Sequence, residues 1–150
     1  MVVAKGDSSW ASSEVTRRVM QSNRGRDTGP ELRLRRLLHA EGLRYRVGLR
    51  PALDLRRTID IAFTKQRVAV FVDGCFWHGC PTHSRSVKTN TAFWNAKIAR
   101  NIARDLDTDE ALRVRGRTVL RFWEHVDPEI SARQIAELIH QLSVCDSAST

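Results

Sequence analysis

The sequence predicts one α/β domain, a mixed sheet flanked by helices, and three observations carry that expectation. Two β-branched runs, Thr58–Phe63 and Arg67–Asp73, are separated only by Thr64-Lys65-Gln66, the pattern of a hairpin. A third run, Thr118–Trp123, lies between two stretches with helical spacing. The chain's 150 residues suit a single core.

In chain order, residues 1–12 are rich in Ser and Ala and read as a flexible N-terminus, residues 13–142 as the domain, and residues 143–150 as a flexible C-terminus. A short helix is expected over Glu14–Gln21. The next helix has a defined start, because Thr28-Gly29-Pro30-Glu31 is a capping box with proline in the first turn. Leu34, Leu37 and Leu38 form its apolar stripe, and Glu41-Gly42 its stop. Tyr45–Leu49 is a weaker strand candidate, followed by a basic loop through Pro51, Arg56 and Arg57. The run ending at Asp73 is almost continuously apolar, as a strand buried on both faces would be. Asn90 can cap a long helix from Thr91 towards Arg115, with an interruption expected near Asp105–Asp109 and an end at Gly116. Asp127-Pro128-Glu129 opens a final amphipathic helix carrying Ile130, Ile135, Leu138, Ile139 and Leu142.

Charge points to the partner. Lys and Arg number 25 against 17 acids, and residues 1–57 hold 13 of the basic but only 6 of the acidic side chains. The bases are 21 Arg and 4 Lys, and the arginine fork grips two phosphate oxygens at once, which suits a polyanion such as nucleic acid; on charge alone a solvated basic surface with an arginine bias set by a GC-rich genome stands equally beside it. No window approaches the ~18 apolar residues of a membrane span, and the N-terminus lacks the apolar run of a signal peptide, so a cytoplasmic, nucleoid-associated protein is expected. Three cysteines without a secretion signal argue for metal or catalysis over a disulfide framework.

The informative stretch is Asp73-Gly-Cys75-Phe-Trp-His78-Gly-Cys80-Pro-Thr-His83. Cys75, Cys80 and His83 have spacing that lets one loop fold around a tetrahedral ion, zinc above all. His125, just past the Thr118–Trp123 strand, is the preferred fourth ligand and Cys145 the alternative; the competing reading makes the cysteines small buried residues. His78 is left over as a candidate general acid or base. Asp60 interrupts an apolar strand and needs a partner, either an arginine or, together with Asp73, a hard cation such as Mg2+. Phe76 and Trp77 could wedge between base pairs or simply cover the metal loop, and Trp94 could be core or a second wedge.

These residues together resemble the very-short-patch mismatch-repair (Vsr) endonucleases. The resemblance rests on Asp60, on Val70–His78, on Phe93–Ile98 with Asn101, Arg104 and Asp105, and on Val119–Glu124, and it extends upstream to Arg24–Glu31, so that it spans about residues 14–140. It implies a restriction-endonuclease-like fold of the PD-(D/E)XK type with a structural Zn2+, and a Mg2+-dependent nick 5′ of the thymine in a T:G pair. It further implies Asp60 as the metal-binding catalytic aspartate, His78 as the catalytic histidine and Glu31 as a glutamate near the site. Asp73 stands where some members carry histidine, so it would serve as base or as a further Mg2+ ligand beside Asp60 and the Val72 carbonyl. Cys75, Cys80, His83 and His125 would bind zinc, in a Cys2His2 set where a well-known member has more thiolates. Phe76, Trp77 and Trp94 would intercalate, with Arg24 and Arg26 on the DNA backbone. The expected partner is double-stranded DNA carrying a T:G mismatch or related lesion, bound by a monomer, with mismatch-repair proteins as further partners. Two rivals stand beside this: a nuclease of the same fold acting on modified or damaged DNA or in restriction and defence, and a zinc-stapled DNA-binding module without catalysis.

Overall fold

The computed structural model describes residues 27–83 and 88–148, so the expected helix Glu14–Gln21, Arg24 and Arg26 lie outside the described residues. Helix α1 (Gly29–Ala40) begins as its capping box demands: Thr28 Oγ1 accepts the Glu31 N–H at 3.4 Å. The return bond goes one residue further back, from the Asp27 N–H to Glu31 Oε2 at 3.0 Å. Leu34 and Leu38 are buried, and Gly42 leaves the helix in the left-handed region at φ 78°.

Strands β1 (Arg46–Leu49), β2 (Ile59–Phe63), β3 (Val68–Asp73) and β4 (Thr118–Trp123) lie side by side in that order. The expected hairpin is present, since β2 pairs antiparallel with both β1 and β3. β4 instead runs parallel to β3, so the chain must cross over between them, and helix α2 (Thr91–Val114) makes that crossing. The sheet is therefore mixed.

Two apolar clusters fix the layers. Ile61, Phe63, Val68 and Val70 pack with Leu34 and Leu38 of α1 and with Ala132, Ile135 and Ile139 of helix α3 (Pro128–Ala148). Ile59, Ala62, Ala69 and Phe71 meet Leu112 of α2. Helices thus cover both faces, which is why β3 can be apolar along nearly its whole length. None of the described helices is long and apolar enough to cross a membrane.

Three local expectations are corrected. Helix α2 runs unbroken through Asp105–Asp109, because Asp105 and Asp109 find partners across the helix–sheet boundary in His78 and Arg121. Asn90 makes no side-chain cap bond: its backbone is left-handed, φ 55°, and lacks the extended conformation that aims a capping side chain at the first turn. Helix α3 does not give way at residue 143, where a flexible end is expected, but continues to Ala148; Ser143 Oγ bonds back to the Ile139 carbonyl and accepts from Gln66 Nε2 at 3.2 Å, tying the last turns to the β2–β3 turn.

Candidate active site

The parallel register of β3 and β4 ends at Asp73 opposite Trp123, so the residues following both strands emerge at one end of the sheet. The Glu124 N–H donates to the Asp73 carbonyl at 2.9 Å, and Glu124 Oε1 accepts the Cys75 N–H at 2.9 Å. These two bonds clamp the Cys75 loop against the residues after β4. His125, 50 residues away in sequence, is delivered to the cysteines: its Nδ1 lies 3.1 Å from Cys75 Sγ and 3.7 Å from Cys80 Sγ, while His83 Nδ1 lies 4.0 Å from Cys80 Sγ.

One donor atom from each of Cys75, Cys80, His83 and His125 falls within 4.8 Å of the other three. A tetrahedral zinc with bonds of about 2.0–2.3 Å needs ligand atoms roughly 3.3–3.8 Å apart, so the set fits such an ion after small adjustments. The two thiols are buried, and burial next to Cys80 pushes the Cys75 thiol up to about 11, a state that a divalent cation would reverse. Cys145, the alternative fourth ligand, is exposed on α3 and outside the set.

Beside this loop lies a cavity of about 350 Å3 between the sheet and α2, lined by Asp60, Asp73, His78, Arg104, Asp105 and Arg121 among others. Asp60 reaches it because the registered pairs of β2 and β3 end at Ile61 and Val70; beyond them Asp60 Oδ2 accepts the Val72 N–H at 2.9 Å. Its Oδ1 has no hydrogen bond among the described residues. Burial raises its pKa to about 6, with the charges of Glu31 and Asp73 adding to the rise and the Val72 bond opposing it. Such a carboxylate is short of positive charge, which suits a cation.

His78 Nδ1 sits 2.5 Å from Asp105 Oδ2 and 3.8 Å from Asp73 Oδ1. These three form a second group whose donor atoms all lie within 4.8 Å, and Asp60 is outside it. The expected convergence of Asp60 and Asp73 on one cation is thus altered: both line the cavity, but Asp73 is engaged by Arg121 NH1 at 2.9 and 3.2 Å. Burial raises the Asp73 pKa, and Arg121 and His78 work against that rise.

Glu31 is buried and held by Arg35 and the Asp27 N–H; it acts on Asp60 through its charge and does not line the cavity. Phe76, Trp77, Trp94 and Phe93 form a chain of edge-on ring contacts with centroids 5.1–5.9 Å apart, and Lys97 Nζ lies over three of the rings. Trp94, only 4% exposed, is the buried hub of this cluster, backing Phe76 and Trp77 instead of standing out as a wedge. Trp77 lines the cavity, and its carbonyl is held by Asn101 Nδ2 at 2.9 Å.

Asn101, Asp105, Arg121 and Glu124 lie in stretches that carry the family resemblance, but the sequence by itself gives none of them a role. Two signals were there to read. Arg121 interrupts an apolar strand as Asp60 does, and Asp105 and Asp109 are spaced i, i+4 on one helix face.

A family model described as DNA mismatch endonuclease Vsr matches residues 11–84. The type II nicking enzyme V.NaeI of Lentzea aerocolonigenes is 42% identical over 127 residues, covering 83% of this chain and 76% of that protein. The type II nicking enzyme V.NmeDIP of Neisseria meningitidis serogroup C is 45% identical over 114 residues, covering 75% of each. The DNA mismatch endonuclease Vsr of Escherichia coli K12 is 37% identical over 100 residues, covering 66% of this chain and 62% of that protein.

Proposed function

The chain belongs to the Vsr family of DNA mismatch endonucleases, and on that premise we propose that it hydrolyses one phosphodiester bond of double-stranded DNA, 5′ of the thymine in a T:G mismatch, with Mg2+. The observation that carries the reading is a single cavity holding the cation-poor carboxylate of Asp60 and the His78–Asp105 pair, with Trp77 in its wall.

Asp60 Oδ1 and the Val72 carbonyl are the donors that would hold Mg2+. Bound there, the ion would offset charge on the scissile phosphate and lower the pKa of the attacking water. Asp73 is a poor ligand by comparison, because Arg121 already takes both its oxygens. Asp105 accepts the Nδ1 proton of His78, which fixes the tautomer and leaves Nε2 as the base that takes the water's proton. Arg57 and Arg104, in the cavity lining, supply positive charge for the flanking phosphates. Phe76 and Trp77, braced by buried Trp94, would enter the weakened base step. Zinc on Cys75, Cys80, His83 and His125 would hold the loop that carries both His78 and the wedge.

A second reading, a type II nicking enzyme, is favoured by the names of the relatives V.NaeI and V.NmeDIP. One panel separates the two: nicking of duplexes that differ only in a T:G, T:A or modified pair, each in several flanking sequences, with and without Mg2+. A T:G preference lost with Mg2+ removal supports the first reading, and equal nicking of T:G and T:A duplexes overturns it.

A further inference from the structure

Two carboxylates compete for one imidazole. His78 Nδ1 is bonded to Asp105 on α2, yet Asp73 Oδ1 at the end of β3 is only 3.8 Å from the same atom, about 0.6 Å beyond the usual hydrogen-bond range. Asp73 is kept there by Arg121. That guanidinium places NH1 on both Asp73 oxygens, and Nε and NH2 2.8 Å from Asp109 Oδ1. NH2 also reaches the Asp105 carbonyl at 3.4 Å, and the guanidinium carbon lies 4.3 Å from the centre of the Phe71 ring. Stacking on one face and bonds in its plane leave the guanidinium a single orientation, and both carboxylate-bearing elements are registered against it.

We propose that Arg121 is a positioning residue that sorts these carboxylates, holding Asp73 off His78 so that Asp105 alone orients the imidazole. The proposal rests on the reading of His78 as the base, and it assigns Asp73 a role other than cation ligand. Arg121 lies 2.9 Å from Asp73 Oδ1 but 3.7 Å from Asp105 Oδ1, so its loss uncovers the buried Asp73 carboxylate most, with Nδ1 of His78 3.8 Å away. That carboxylate would pull the ring from Asp105 and turn Nε2 away from the line of attack.

The test compares Arg121→Met, Arg121→Lys and the double variant Asp73→Asn/Arg121→Met in the full chain as purified, by two readouts. Single-turnover nicking gives the rate and the apparent KM, and nitrogen-15 NMR of the His78 ring without DNA gives the tautomer and its hydrogen bond. Arg121→Met should lower the rate about a hundredfold with KM changed less than about threefold, and should shift the Nδ1 proton resonance. Removing the rival carboxylate in the double variant should return the resonance and recover at least about tenfold of the rate, and Arg121→Lys should fall between. A brace of purely structural kind predicts the reverse, a double variant as slow as the single one or slower. An unchanged His78 resonance in Arg121→Met overturns the proposal whatever the rates, and because that readout needs no cleavage it stands apart from failure of the endonuclease reading. Should Arg121→Met not fold, the double variant and Arg121→Lys decide: a wild-type resonance in the double variant supports sorting, and a displaced one overturns it.

Discussion

Asp60 Oδ2 accepts the backbone N–H of Val72 at 2.9 Å, across the point where β2 and β3 cease to pair. The bond lets a charged residue occupy an apolar strand without leaving a buried donor unmet, and it aims the carboxylate at the cavity.

Burial costs Asp60 stability, and the sign follows from its pKa. The carboxyl titrates near 3.8 in an unfolded chain and near 6 here, so the folded state holds its proton more tightly. Stability from this group is complete below pH 4 and is lost as pH rises through 6. Asp60→Asn, which keeps an oxygen for the Val72 N–H, should therefore be more stable than wild type by roughly 2–3 kcal/mol at pH 7.5 without added Mg2+, and equal to it near pH 4. Urea unfolding at the two pH values measures this.

The same substitution should abolish nicking and leave DNA affinity near wild type, since Asp60 faces the phosphate only through a cation. Gel-shift and nicking assays on one T:G duplex separate the two effects. Surviving cleavage would mean that another carboxylate is the principal ligand.

Asp105→Asn keeps the shape of the His78 partner and removes its charge. The rate should fall at least about a hundredfold, because an amide can present its NH2 to Nδ1 and favour the wrong tautomer, while binding changes little. Equal losses in rate and in affinity would contradict the orienting role.

Cys80→Ala should lower zinc content and thermal stability together, because Cys80 belongs to the four-ligand set that ties the loop to the residues after β4. Elemental analysis and thermal unfolding of the purified proteins check this. Full-strength nicking by protein free of zinc would sink the ligand assignment.

Trp77 and Trp94 should behave differently although they touch. Trp77→Ala should weaken binding of a T:G duplex by about ten- to a hundredfold, with a smaller effect on the matched duplex, since one stacking contact is worth ~1–3 kcal/mol. Trp94→Ala removes the buried hub and should cost about 3–5 kcal/mol of folding stability. Binding isotherms and denaturant melts of both variants distinguish a wedge from its support.

The sequence alone determined the features that depend on local chemistry. The Thr28 cap, the β2–β3 hairpin and the spacing of Cys75, Cys80 and His83 are written in neighbouring residues, as is the oddity of Asp60 in an apolar strand. The interruption expected in α2 and the cap expected from Asn90 failed because local propensity was read without the partners that long-range packing supplies. What the tertiary structure decided were pairings between residues far apart in the chain. His125 meets Cys75, Asp105 meets His78, and Arg121 holds Asp73 because β4 lies parallel to β3 with Trp123 beside Asp73 and because α2 crosses between them. Strand direction and register are set by burial over both faces of the whole sheet, and no short stretch of sequence carries that information.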